Sequence, residues 1–90
     1  MSTRHVANVP IDFQKDGIAQ LLMEVMEATD KDRGAFLYYL LADGGTNGFD
    51  DWFPDRQTLE EVALELYGVD PKSWKEFRGP FPGYTGGRNR

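Results

Sequence analysis

Six consecutive residues, Phe36-Leu37-Tyr38-Tyr39-Leu40-Leu41, constrain this chain more than any other stretch. On an extended backbone, Phe36, Tyr38 and Leu40 point to one side and Leu37, Tyr39 and Leu41 to the other. Both faces of such a strand must be at least partly covered. A helix is the competing reading, because leucine and alanine dominate the end of the run. The residues that follow favour the strand. Asp43-Gly44-Gly45-Thr46-Asn47-Gly48 has the composition of a tight reversal, in which glycine and asparagine supply positive φ angles. Phe49-Asp50-Asp51-Trp52-Phe53 then returns as a second strand, stopped by Pro54. A two-stranded hairpin is marginal in water and needs helices or a third strand to lean on.

Residues 59–67 supply one helix. Thr58 followed by Glu61 has the form of a capping box. Leu59, Val62, Ala63, Leu66 and Tyr67 make one apolar stripe. Gly68 fits the left-handed position past the last turn, and Val69 the apolar contact that accompanies it. Asp70-Pro71 opens a short helical stub, after which Trp74 and Phe77 close the bottom of the core.

A first helix is predicted over residues 16–29. Ile18, Leu21, Leu22, Val25 and Met26 repeat the same spacing, with Asp16 as N-cap and Glu24 and Glu27 on the wet side. The polar run 29–34 ends it in a loop. Residues 1–9 show no period. Val6, Val9 and Ile11 fit a short strand that Pro10 would confine to a sheet edge. His5, the single histidine, falls in this mobile arm without a second histidine and makes a poor metal ligand or general base. The expectation is one α+β domain over residues 1–78, with two amphipathic helices packed on one side of an antiparallel β-hairpin or three-stranded sheet. Its third strand would come from the N-terminal arm, from residues 73–77 or from another subunit. Residues 79–90, GPFPGYTGGRNR, read as a flexible Gly/Pro-rich tail.

Composition excludes several functions. With no cysteine in the chain, disulfides, thiolate metal sites and thiol catalysis are ruled out. The apolar run 35–42 is far short of the roughly 20 residues that span a bilayer, and residues 1–10 lack a signal peptide's apolar core. A cytoplasmic location and no membrane contact are expected. The net charge of −5 is uneven: residues 1–77 carry seven Lys/Arg against fifteen acids, and residues 78–90 carry three arginines and no acid. Within 43–70 there are eight acids and one base, a balance of −7. That balance argues against nucleic-acid binding, which needs cations to neutralise phosphates, and suits a basic protein partner.

No catalytic set emerges. Ser2 and Ser73 have no histidine in any motif, and strand alternation would send Asp50 and Asp51 to opposite faces. Numbered from Asp43, the turn places Asn47, Gly48 and Asp51 where a calcium loop has positions five, six and nine. Gly45 and Pro54 occupy positions three and twelve, where carboxylates belong. The aromatics Tyr38, Tyr39, Trp52, Phe53 and Trp74 are core if buried and binding hot spots if exposed. An unpaired hairpin edge would accept a partner strand, giving a homodimer or a peptide site.

The run Asp51-Trp52, then Thr58-Leu59-Glu60-Glu61-Val62-Ala63, then Glu65-Leu66-Tyr67-Gly68-Val69 and Trp74, resembles a module of small uncharacterised bacterial proteins. In that module an apolar strand and a D-x-W strand precede a T-L-E-E-A helix ending in E-[FY]-G-[VI], with a tryptophan a few residues on. Here Phe53-Pro54-Asp55-Arg56-Gln57 lengthens the link between strand and helix. The resemblance implies a fold and carries no chemistry. The expected function is a non-enzymatic protein-interaction module, immunity- or antitoxin-like, needing no cofactor. It would present Asp50, Asp51, Trp52, Asp55 and Glu60 to a basic partner. The alternative is a small metal- or ligand-binding domain using Asp43, Asn47, Asp50 and Asp51.

Overall fold

The computed structural model describes residues 2–26, 33–43 and 45–78; the proposed tail lies outside them. Among the described residues the chain forms β1 (Ser2–Asn8), β2 (Ile18–Met26), β3 (Gly34–Leu41), β4 (Thr46–Phe53), α1 (Arg56–Tyr67) and β5 (Lys75–Glu76), with single 3-10 turns at Ile11–Phe13 and Pro71–Ser73. The strands make one antiparallel sheet in the order β4-β3-β2-β1-β5, and α1 packs on one face of it. The architecture is α+β as expected, with a larger sheet and one helix rather than two. Both the N-terminal arm and residues 75–76 join the sheet.

The helix expected over 16–29 is strand β2. Leu21, Leu22 and Met23 are consecutive and each fully buried, which a surface helix cannot achieve but a central strand covered on both faces can. The helix-like spacing has a specific cause. Between the pairs Ile18↔Leu41 and Gln20↔Leu40, β2 has one residue, Ala19, that β3 does not match. This bulge resets the alternation, so Ile18 joins Leu21 and Met23 in the helix-side core. Just before the strand, Asp16 and Gly17 take successive positive φ angles of 55° and 76°.

The β3–β4 hairpin forms as predicted, but its reversal uses only the first part of residues 43–48, and the second strand begins before Phe49. The Leu41 amide donates to the Gly45 carbonyl at 2.7 Å, and β4 starts at Thr46. Gly48 (φ 86°) instead lies in a wide bulge. Between Tyr38↔Asp50 and Leu40↔Thr46, one residue of β3 faces three of β4.

Helix α1 begins three residues before the predicted start. Thr58 is not the cap: Asp55 is, its Oδ1 accepting from the Thr58 amide at 2.8 Å. Aspartate directly after Pro54 is well placed for this, because proline cannot continue the strand ladder and the short carboxylate reaches the third helical amide. The other end is as read from sequence. Gly68 is left-handed (φ 65°), its amide donates to the Leu64 carbonyl at 3.0 Å, and that of Val69 donates to Ala63 at 3.2 Å. Val69 is buried behind it.

The two faces of the sheet differ. Leu59, Ala63 and Tyr67 of α1, with Val69 and Trp74, seal Ala7, Leu21, Met23, Ala35, Leu37 and Tyr39. On the other face Leu22 and Leu40 are packed by Val6, Tyr38 and Phe77, without a helix over them among the described residues. Trp74 is core, as expected, whereas Phe77 belongs to the opposite face.

Gly34 opens β3 at φ 117°, and a Cβ there would stand 2.6 Å from both the Phe53 carbonyl oxygen and Trp52 Nε1. A Cβ at Gly48 would meet nothing within 4 Å. Gly48→Ala should therefore cost only the left-handed backbone term, about 1–2 kcal/mol. Gly34→Ala should add a steric cost of about 1–3 kcal/mol. Urea unfolding of the two variants checks this, and equal losses would contradict the close packing at Gly34.

Candidate functional site

Three of the five residues singled out from sequence lie on β4, an outer strand of the sheet. Asp50 and Trp52 share the face without the helix, opposite Tyr38 and Phe36, while Asp51 points to the helix side opposite Leu37. The two aspartates do point to opposite faces, so they form no carboxylate pair. Asp55 and Glu60 sit in the first turns of α1. The structure does not gather the five at one point. It strings them along one edge and around the corner into the helix.

Several of these acids already have partners. Asp51 Oδ2 accepts a short hydrogen bond from the Tyr39 hydroxyl, and the Tyr39 ring packs against Tyr67 at 5.8 Å between centroids. Burial, followed by the bond to Asp51, pushes the Tyr39 phenol well above its ordinary range. Asp55 serves as the helix cap, and its hydrogen bonds from Thr58 hold its carboxyl below the usual carboxylate range. Glu60 accepts from Arg56 Nε at 2.8 Å, one helical turn away. Asp50 is exposed.

The aromatic groups are more telling. Trp52 is 53% exposed although its Nε1 donates to the Arg33 carbonyl at 3.1 Å. Phe49, pushed out by the bulge at Gly48, is 71% exposed. Sequence reading placed Phe49 as an ordinary strand residue and missed it as a surface group. The available signal was the glycine before it, which marks a bulge inside a strand as readily as a turn. β4 thus presents two large aromatics on either side of two exposed acids, along an edge that pairs on one side only among the described residues.

The other candidates carry less. No group of three or more His, Asp or Glu among the described residues is placed to hold a metal ion, and the Asn47 side chain lies outside the described set. An open cleft of about 310 Å³ is lined by Asn8, Val9, Gln14, Ala19, Gln20 and Leu41. Its amides bond within the fold, Gln20 Nε2 to Asn8 Oδ1 at 2.8 Å and Gln14 Nε2 to the Val9 carbonyl at 3.0 Å. None of those side chains titrates, so this cleft has no group to move a proton.

His5 requires a correction. It lies in β1, paired with Met23 of β2 on one side and Glu76 of β5 on the other, not in a mobile arm. Its Nδ1 is buried with no hydrogen-bond partner among the described residues. Burial, and then the Arg56 charge, lower its pKa below 6.5, against smaller opposing effects of Glu76 and Glu60. The folded state therefore binds a proton less readily than the unfolded chain. Its contribution to stability is complete above pH 6.5 and is lost as pH falls through the folded value. Urea midpoints measured above and below pH 6.5 should show this fall, and His5→Gln should remove that part of it. Tyr39 acts at the other end of the scale. Its raised pKa holds stability below about pH 10 that is lost as the phenol ionises. Tyr39→Phe should cost about 1 kcal/mol, since Asp51 is open to water and is not left as a buried orphan. It should also reduce the alkaline loss of stability in the same urea assay.

No protein-family model, curated protein or solved structure matches the chain.

Proposed function

We propose that this domain is a non-enzymatic protein-binding module, and that the exposed strand β4 is its recognition edge for a basic partner. One observation carries this reading: Phe49 and Trp52 are more than half exposed on an edge strand that also bears the exposed carboxylates of Asp50 and Asp51. Large aromatics in the centre of a surface patch supply most of the energy in protein interfaces, and flanking charges set the partner's sign and the encounter rate. An edge strand adds main-chain donors and acceptors for an extended segment. Asp43 at the turn and Asp55 after Pro54 extend the acidic border beyond both ends of the strand. Such a surface fits the inhibitory manner of an immunity or antitoxin-like protein, which blocks a basic target by covering it.

The reading is supported by a different division of labour from the one expected. Asp50, Phe49 and Trp52 are the contact residues, while Asp55 and Glu60 chiefly hold α1 in place. Pairing of two β4 edges would give the homodimer that the hairpin also allows.

Capture from native lysate should retain a protein with a basic surface. That capture should weaken sharply between roughly 0.1 and 1 M salt, over which the Debye length shrinks from about 10 to 3 Å. Phe49→Ala removes a side chain that is 71% exposed and should weaken the complex about tenfold or more while leaving the urea midpoint nearly unchanged. Asp50→Lys should act mainly on the association rate. An affinity indifferent to salt and to both substitutions would overturn the proposal.

A further inference from the structure

The two edges of the sheet are unequal. On one side it stops at β5, which is two residues long, and on the other at β4, which is eight. Over residues 50–53, β4 runs in unbroken register with β3: Asp50, Asp51, Trp52 and Phe53 oppose Tyr38, Leu37, Phe36 and Ala35. In an antiparallel ladder, a strand turns the N–H and C=O groups of every second residue towards one neighbour. Those of the residues between point the other way. Among the described residues β4 has β3 on one side only, so half of the main-chain groups in this stretch face away from the sheet.

We infer, resting on the recognition edge proposed above, that the ligand of β4 is an extended peptide segment that adds a strand beside it and carries two adjacent basic residues. The spacing follows from the pleat. A strand laid about 4.8 Å from β4 places each side chain on the same face as the residue it opposes. Asp50 lies on the face away from the helix and Asp51 on the helix side, and both are exposed. The residues opposite them are therefore consecutive in the incoming chain, one lysine or arginine to each face. The residue opposite Trp52 comes next, beyond the one that meets Asp51. The Trp52 indole is anchored through Nε1 to the Arg33 carbonyl, yet is 53% exposed, and suits an apolar or β-branched side chain there. In the antiparallel sense that the whole sheet follows, the ligand reads apolar, basic, basic from its N-terminal side. A second copy fits less well. Two β4 strands paired about Asp50 and Asp51 would set carboxylates directly opposite one another, which is destabilising. The acids that discourage self-pairing are thus the ones that select a basic strand.

Short end-blocked peptides of threonine and valine, titrated into the full chain and followed by NMR, test this. One carries valine, lysine and arginine in that order at its centre. A second has the same composition with the two basic residues separated by one position, so that both project to a single face. The first should bind about three- to fivefold tighter than the second, the loss expected for one cross-strand charge pair. N-methylation of alternate amides of the first peptide should abolish binding in one phase and be tolerated in the other, because only one set faces β4. Amide shifts should concentrate at residues 50–53 and spare β5. The Asp50→Lys variant should reverse the preference, favouring a peptide with glutamate in place of the arginine. Equal affinity for both spacings, with both N-methylated forms binding alike, would overturn strand addition while leaving a basic partner held by charge alone. No binding of any peptide by a chain that still captures a basic protein from lysate would also overturn it, the ligand then being a folded surface. A chain that sediments as a dimer through β4 would overturn it in favour of a second copy.

Discussion

The pairing of β2 with β3 holds this structure together. Leu21, Leu22 and Met23 face Tyr39, Tyr38 and Leu37 across the ladder, and every one of these positions except Tyr38 is buried. Because successive side chains on a strand point to opposite faces, this one ladder must bury residues on both sides at once. It sits in the middle of the sheet, with β1 and β5 beyond it on one side and β4 on the other. The helix seals one side. Among the described residues the other side is packed by Val6, Tyr38 and Phe77 against Leu22 and Leu40.

That asymmetry links the fold to binding. A helix on each face would have left only edges and loops for recognition. With a single helix, the aromatic sheet face and the β4 edge are continuous through Trp52, which belongs to both. The acids divide along the same line. Those next to α1 are engaged in its capping and pairing, and Asp50, on the other face, is exposed. The negative charge of residues 43–70 is therefore partly structural, and only a fraction of it is displayed.

Much of the local structure was legible because it depends on neighbouring residues. The left-handed stop at Gly68, the buried Val69, the Asp70 cap of the following turn and the strand character of residues 36–41 are each decided within about five positions. The site was partly legible for the same reason. Alternation alone separated Asp50 from Asp51, and residue type marked Trp52. Phe49 escaped because the bulge that exposes it requires a register mismatch with β3, a relation between strands that no short window contains. Asp55 and Glu60 were identified by charge, yet charge does not distinguish an acid that caps a helix from one that meets a partner.

The sequence by itself determined one capped helix, a hairpin around the glycine-rich turn, the absence of thiol chemistry and an acidic body. Only tertiary structure decided that Ile18–Met26 is a strand. Its apolar spacing satisfies a helix and a two-sided strand equally, and local propensity is too weak to choose between them. The choice is made by β1 and β3, which lie on either side and take up its backbone hydrogen bonds. His5 moved with it, from an apparent arm to an interior strand, because a strand's burial is set by its neighbours in space.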